Sequence, residues 1–104
     1  MGILIYGGAQ HHFDDRLLAH LKVVITAKSR RGESFLLSWI SESGSNGTMS
    51  LWISPSIPLV YRFDDPEPIQ LNRAWLEALA DSALSSRGLI AMPEEQAKDH
   101  RRRE

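Results

Sequence analysis

Leu17, Leu18, Leu21, Val24 and Ile25 recur at spacings of three and four, and this stripe constrains the chain more than any other feature of its sequence. Apolar residues at that period form one side of a helix that must be buried against something else. The flanking residues read as its ends. Asp14 suits the N-cap, with Phe13 and Leu18 placed as a hydrophobic staple, and the Asp14-Asp15 pair favours the positive end of the helix dipole. Lys28, Arg30 and Arg31 fill the last turn, and Gly32 suits the position after the C-cap. The spacing predicts a helix over residues 14–31.

Short β-patterned runs supply the surface for that stripe. Residues 3–6 (ILIY) precede Gly7-Gly8, and His11, His12 and Phe13 follow, which reads as a hairpin with a tight glycine turn. Residues 35–41 and 48–54 alternate with a period of two around a polar loop, residues 42–47, and form a second hairpin. Pro55 and Pro58 interrupt the ladder, so the corner they bound leads into a further strand over residues 59–63. Asn72 caps a second helix carrying Trp75, Leu76, Leu79, Ala80 and Ala83, with Leu71 and Leu76 as its staple. Gly88 closes that helix between Leu84 and Leu89, and residues 89–92 form a last strand ended by Pro93. The order ββαβββαβ is that of an α+β domain: one mainly antiparallel sheet with two helices on one face. Residues 1–93 form this single domain, and residues 94–104 read as a disordered charged tail.

Composition removes several function classes. The 104 residues allow one domain, and the absence of Cys excludes disulfides, thiolate zinc sites and a Cys nucleophile. No apolar run approaches the roughly 20 residues of a membrane span, and the MGILIYGG start lacks a basic secretory region, so no membrane partner and a cytoplasmic location are expected. Gly7-Gly8 does not belong to a G-x-G-x-x-G or P-loop motif, no Ser lies in G-x-S-x-G, and no cofactor is expected. His11, His12, His20, Asp14 and Asp15 are the densest group of potential metal ligands or bases. His11 and His12 are neighbours on a strand and point to opposite faces, so no metal site and no catalytic set is assigned.

The net charge of −1 conceals two opposed segments, +3 between Asp14 and Arg31 and −3 between Arg62 and Asp81. On a helical wheel Arg16, His20 and Arg30 gather on the side opposite the stripe, with Arg31 adjacent, and Arg101-Arg102-Arg103 add a basic arm. Such a face suits a few phosphates. Among the three tryptophans, Trp75 falls on a helix stripe, Trp39 shares a face with Phe35 and Leu37, and Trp52 alternates with Ser50 and Ser54. Trp52 is therefore the candidate exposed aromatic contact.

The segments GILIYGG, DDRLLAHLKVVITAKSRRGESFLLSW, LWISPSIPL and LNRAWLEALADSALSSRGL resemble, across residues 2–93, a family of small actinobacterial proteins of unknown function. Its members often carry the label ATP-dependent DNA ligase. The resemblance implies a cytoplasmic actinobacterial origin and brings no catalytic residues with it. Ligases of that kind form an adenylate on the Lys of a K-x-D-G motif, and Lys22, Lys28 and Lys98 do not open one. Ligase activity is therefore not expected of this chain alone.

The leading expectation is a non-enzymatic binding module that contacts nucleic acid or a DNA-associated protein through Arg16, His20, Arg30, Arg31 and Trp52. The alternative is a protein–protein or self-associating, homodimeric module using a sheet edge and the Trp52 face. A small metal-dependent hydrolase ranks below both.

Overall fold

The computed structural model describes residues 1–40 and 47–97. Its elements are β1 (Gly2–Tyr6), β2 (Ala9–Phe13), α1 (Asp15–Arg30), β3 (Phe35–Ile40), β4 (Thr48–Ile53), β5 (Leu59–Phe63), α2 (Arg73–Ser82) and β6 (Leu89–Ile90), in the expected order. Gly7 and Gly8 take φ of +58° and +84° and join Tyr6 to Ala9, the left-handed pair that a two-residue hairpin turn requires. β3 and β4 pair antiparallel from Phe35–Ile53 to Ile40–Thr48. Most of the polar loop expected between them, residues 41–46, lies outside the described residues.

The α+β class holds, but the strands form two sheets instead of the single one expected. Their orders are β2-β1-β5 and β4-β3-β6, antiparallel except for the parallel β3–β6 pair. The proline corner makes the division possible, and the pairing of β5 with β1 beyond it completes it. Proline cannot donate to a ladder, so β4 ends at Ile53, and the chain turns through residues 54–58 to pair β5 with β1. Aromatic edges bridge the two sheets: the Trp39 ring meets His11 at 5.3 Å and Phe13 at 5.1 Å. α1 lies against β1 and β5, α2 lies against β6, and the helices pack on each other. Leu4, Leu18, Leu21, Ile25, Leu37, Ile53, Leu79 and Leu89 form the fully buried centre.

The ends of α1 are as its sequence dictates. The Asp14 carboxylate accepts the N–H groups of Arg16 and Leu17, and the N–H groups of Gly32 and Glu33 return to the carbonyls of Ser29 and Lys28. The second helix differs. Asn72 caps it, but it stops at Ser82, and its buried residues are Trp75, Ala78 and Leu79, with Ala80 exposed. Serine hydroxyls end it early. Ser82 Oγ donates to Leu79 O at 2.7 Å and accepts the Ile90 N–H at 2.9 Å, while Ser85 Oγ donates to Ser82 O. Leu84, expected to contact Leu89 at the helix end, is 84% exposed.

Gly88 (φ +80°) serves another purpose, since a Cβ there would collide with the backbone and Cβ of Leu36 on β3. The expected tail also needs correction in its first four residues. Residues 94–97 form a helical turn against the domain, and Ala97 keeps only 1% of its surface exposed. The rest of that stretch, including Arg101-Arg102-Arg103, lies outside the described residues.

Candidate functional site

Two features stand out: a polar network where α1, α2 and the C-terminal turn meet, and the open edge of the second sheet. The network contains two residues expected to form an outward basic face. His20 sits beside Val24 on the flank of the α1 stripe, and because α2 packs on that flank, His20 has no exposed surface. Its Nε2 accepts the Asn72 N–H at 2.8 Å, which requires the proton on Nδ1, and Nδ1 donates to Arg16 O at 2.7 Å. The ring lies 4.3 Å from that of Trp75. Burial lowers the His20 pKa below its ordinary value. With both nitrogens engaged, the imidazole has no lone pair open to a substrate or metal.

Arg16 is occupied in the same network. Its guanidinium grips Glu94 through two bonds, 3.1 and 2.8 Å, and donates to Gln70 O at 2.8 Å. Asn72 Nδ2 donates to the same carboxylate at 2.8 Å while Asn72 Oδ1 caps α2. Arg16, and after it Asn72, hold the Glu94 carboxyl far below the usual range, at about 2. Trp75 Nε1 completes the set by donating to Met92 O at 3.0 Å. The sequence marked Asn72 as a cap, but nothing local pointed to Glu94, whose partners lie 78 and 22 positions away.

The expected basic face is therefore not assembled. Arg31 binds Glu33 at 2.5 Å, and the mostly buried Lys28 holds its ammonium 5.4 Å from the centre of the Phe35 ring and reaches the same carboxylate at 3.3 Å. Those two cations hold the Glu33 pKa down, Arg31 most strongly. Arg30 remains exposed, and it stands roughly 20 Å along the helix from Arg16 at 1.5 Å rise per residue. The potential metal ligands are scattered as well. His11 turns inward onto Trp39, His12 faces solvent, and His20 is sealed away. Among the described residues no three His, Asp or Glu side chains converge on one ion.

Trp52 does reach solvent, with 62% of its surface exposed. Residues paired across β3 and β4 share a face, so Leu36–Trp52, Ser38–Ser50 and Ile40–Thr48 line the outer side of the second sheet. The Ser38 and Ser50 hydroxyls are hydrogen-bonded at 2.9 Å, and Ile40 is 70% exposed. Among the described residues β4 is the outermost strand, and no described strand pairs with its far side. Its sequence, TMSLWI, has no charge and no proline. The other edge strands differ: β5 carries Arg62, β2 carries His11 and His12, and β6 has two residues.

A family model described as "Domain of unknown function (DUF7882)" matches residues 1–94. The chain belongs to this family. The DUF7882 match takes in both sheets and both long helices and runs as far as Glu94, the carboxylate that Arg16 holds. No curated protein and no solved structure matches the chain. No helix among the described residues is long and apolar enough to cross a membrane.

Proposed function

We propose that this domain is a non-enzymatic protein-docking module that takes an extended partner strand along the open edge of β4, with Trp52 as the anchoring side chain. The observation that carries this reading is the undefended edge. Natural sheets protect such edges with charge, proline or a bulge, because a free ladder recruits another strand. β4 presents six residues with neither charge nor proline, one of them an exposed tryptophan. Strand addition uses the backbone ladder for affinity and alternate side chains for selection. Trp52, in line with Ser50 on the outer face, supplies that selection.

The nucleic-acid reading is weakened because Arg16 and Arg31 are paired with carboxylates and His20 is buried, which leaves Arg30 and Trp52 as its exposed described residues. Selection of displayed heptapeptides on the immobilised domain tests the docking reading. Enriched sequences should alternate β-branched or aromatic with polar residues, and they should lose binding to Ser50→Lys and Trp52→Ser. Peptides that bind both variants undiminished, or no enrichment at all, would overturn it.

A further inference from the structure

Resting on the docking reading, we infer that the strand taken up at β4 is β4 of a second copy of this chain, joined antiparallel about a two-fold axis normal to the sheet. The first argument is charge. An uncharged ladder disfavours a partner strand that brings an ion to the seam, and among the described edge strands of five residues or more, only β4 lacks both Arg and His. The whole chain has a net charge of −1, so two copies meet almost no long-range repulsion.

The second argument is symmetry. An antiparallel two-fold pairing keeps the two faces in register only when it centres on a residue, because neighbouring residues point to opposite faces. Centring on Ser50 sets Trp52 beside the second copy's Thr48. Centring on Leu51 sets it beside the second copy's Ser50. Either way a small hydroxyl residue lies beside the indole and Met49 and Leu51 meet apolar partners on the inner face, which Ile53 joins when the pairing centres on Leu51. The β4-β3-β6 sheets of the two copies then become one six-stranded sheet whose central edges are both satisfied. Ile40 and Trp52, exposed on the single domain, lie on the face that this joining makes continuous.

Such an interface is small, so the dimer should be weak and dependent on concentration. Sedimentation of the full chain from about 1 µM to about 1 mM should show a reversible monomer–dimer equilibrium. Ser50→Lys and Ser50→Glu each place like charges at or beside the axis and should weaken the dimer at least about tenfold, while mixing the two variants should restore it. Val60→Lys, which adds the same charge on β5, should leave association unchanged, and circular dichroism should confirm that each variant is folded. A chain that stays monomeric across that range, or a dimer indifferent to Ser50→Lys, overturns the inference. If monomeric wild type still selects heptapeptides lost on Ser50→Lys, only the second copy is refuted. If it selects none, the docking reading fails with it.

Discussion

His20 on the first helix holds the residue that caps the second: its Nε2 accepts the Asn72 backbone N–H at 2.8 Å. Asn72 Oδ1 in turn takes the N–H groups of Ala74 and Trp75, and its Nδ2 reaches Glu94, which Arg16 grips from α1. The bonds form a closed path through α1, the α2 cap and the C-terminal turn. Within that path a lost acceptor strands its donor, and an unsatisfied buried donor costs more than a made bond contributes.

His20→Phe separates the hydrogen bond from the packing. The new ring fills the space beside Trp75, but the Asn72 N–H loses its acceptor. The expected cost is about 1–3 kcal/mol in urea unfolding, and His20→Ala should cost more because it also leaves a cavity. If His20→Phe is as stable as the wild type, the Asn72 bond does not contribute.

The same network sets the acid response. Burial lowers the His20 pKa below its ordinary 6.5, so the unfolded chain takes up a proton that the fold resists. This stabilisation is complete above pH 6.5 and declines as the pH falls through that value toward the lowered folded one. Glu94 opens a second window. Its carboxyl ionises at about 2 in the fold against an ordinary 4.5, so its contribution is complete above 4.5 and disappears as the pH falls toward 2. Urea unfolding at pH about 7.5, 5.5 and 3.5 resolves the two windows. His20→Phe should flatten the upper decline and Glu94→Gln the lower. A wild-type profile flat between the first two points would contradict the His20 assignment.

Arg16→Lys tests the fork on Glu94. An ammonium cannot reproduce two parallel bonds to the carboxylate together with a third to Gln70 O. Both side chains are partly exposed and screened by solvent, so the expected loss is modest, about 1 kcal/mol. A chain ending at Pro93 should lose more than one ending at Ala97, because the first also removes Glu94 and the buried Ala97. Equal melting temperatures for the two truncations would show that the C-terminal turn adds nothing.

What the sequence reveals here is local. Asp14 and Asn72 cap the helices they precede, Gly7-Gly8 turns the first hairpin, and Phe35 to Ile40 pairs with Thr48 to Ile53. These outcomes follow from residues a few positions apart. The division into two sheets depends on which strand β5 joins after the proline corner, a choice made by long-range packing that no local pattern encodes. His20 is hidden for the same reason. The five residues of the α1 stripe mark the centre of the buried arc, but the width of that arc is fixed by α2, which docks on its flank. Glu94, in a polar stretch, resembled solvent-facing sequence until Arg16 and Asn72 were brought to it. Trp52 was readable because strand alternation alone places it opposite the core.

Gly88 provides a test of how β6 joins the second sheet. Its φ of +80° disfavours any side chain, and a Cβ would also meet the Leu36 backbone. Gly8, at φ +84°, has open space around its missing Cβ. Gly8→Ala should therefore cost only the backbone strain, about 1–2 kcal/mol. Gly88→Ala carries that strain and a steric conflict worth about 1–3 kcal/mol more, relieved only if β6 moves away from β3. Amide exchange at Leu89 and Ile90 should then accelerate in Gly88→Ala while the amides of β1 stay protected. Equal destabilisation by the two substitutions would mean that the close approach of Gly88 to Leu36 is not what holds β6 in the sheet.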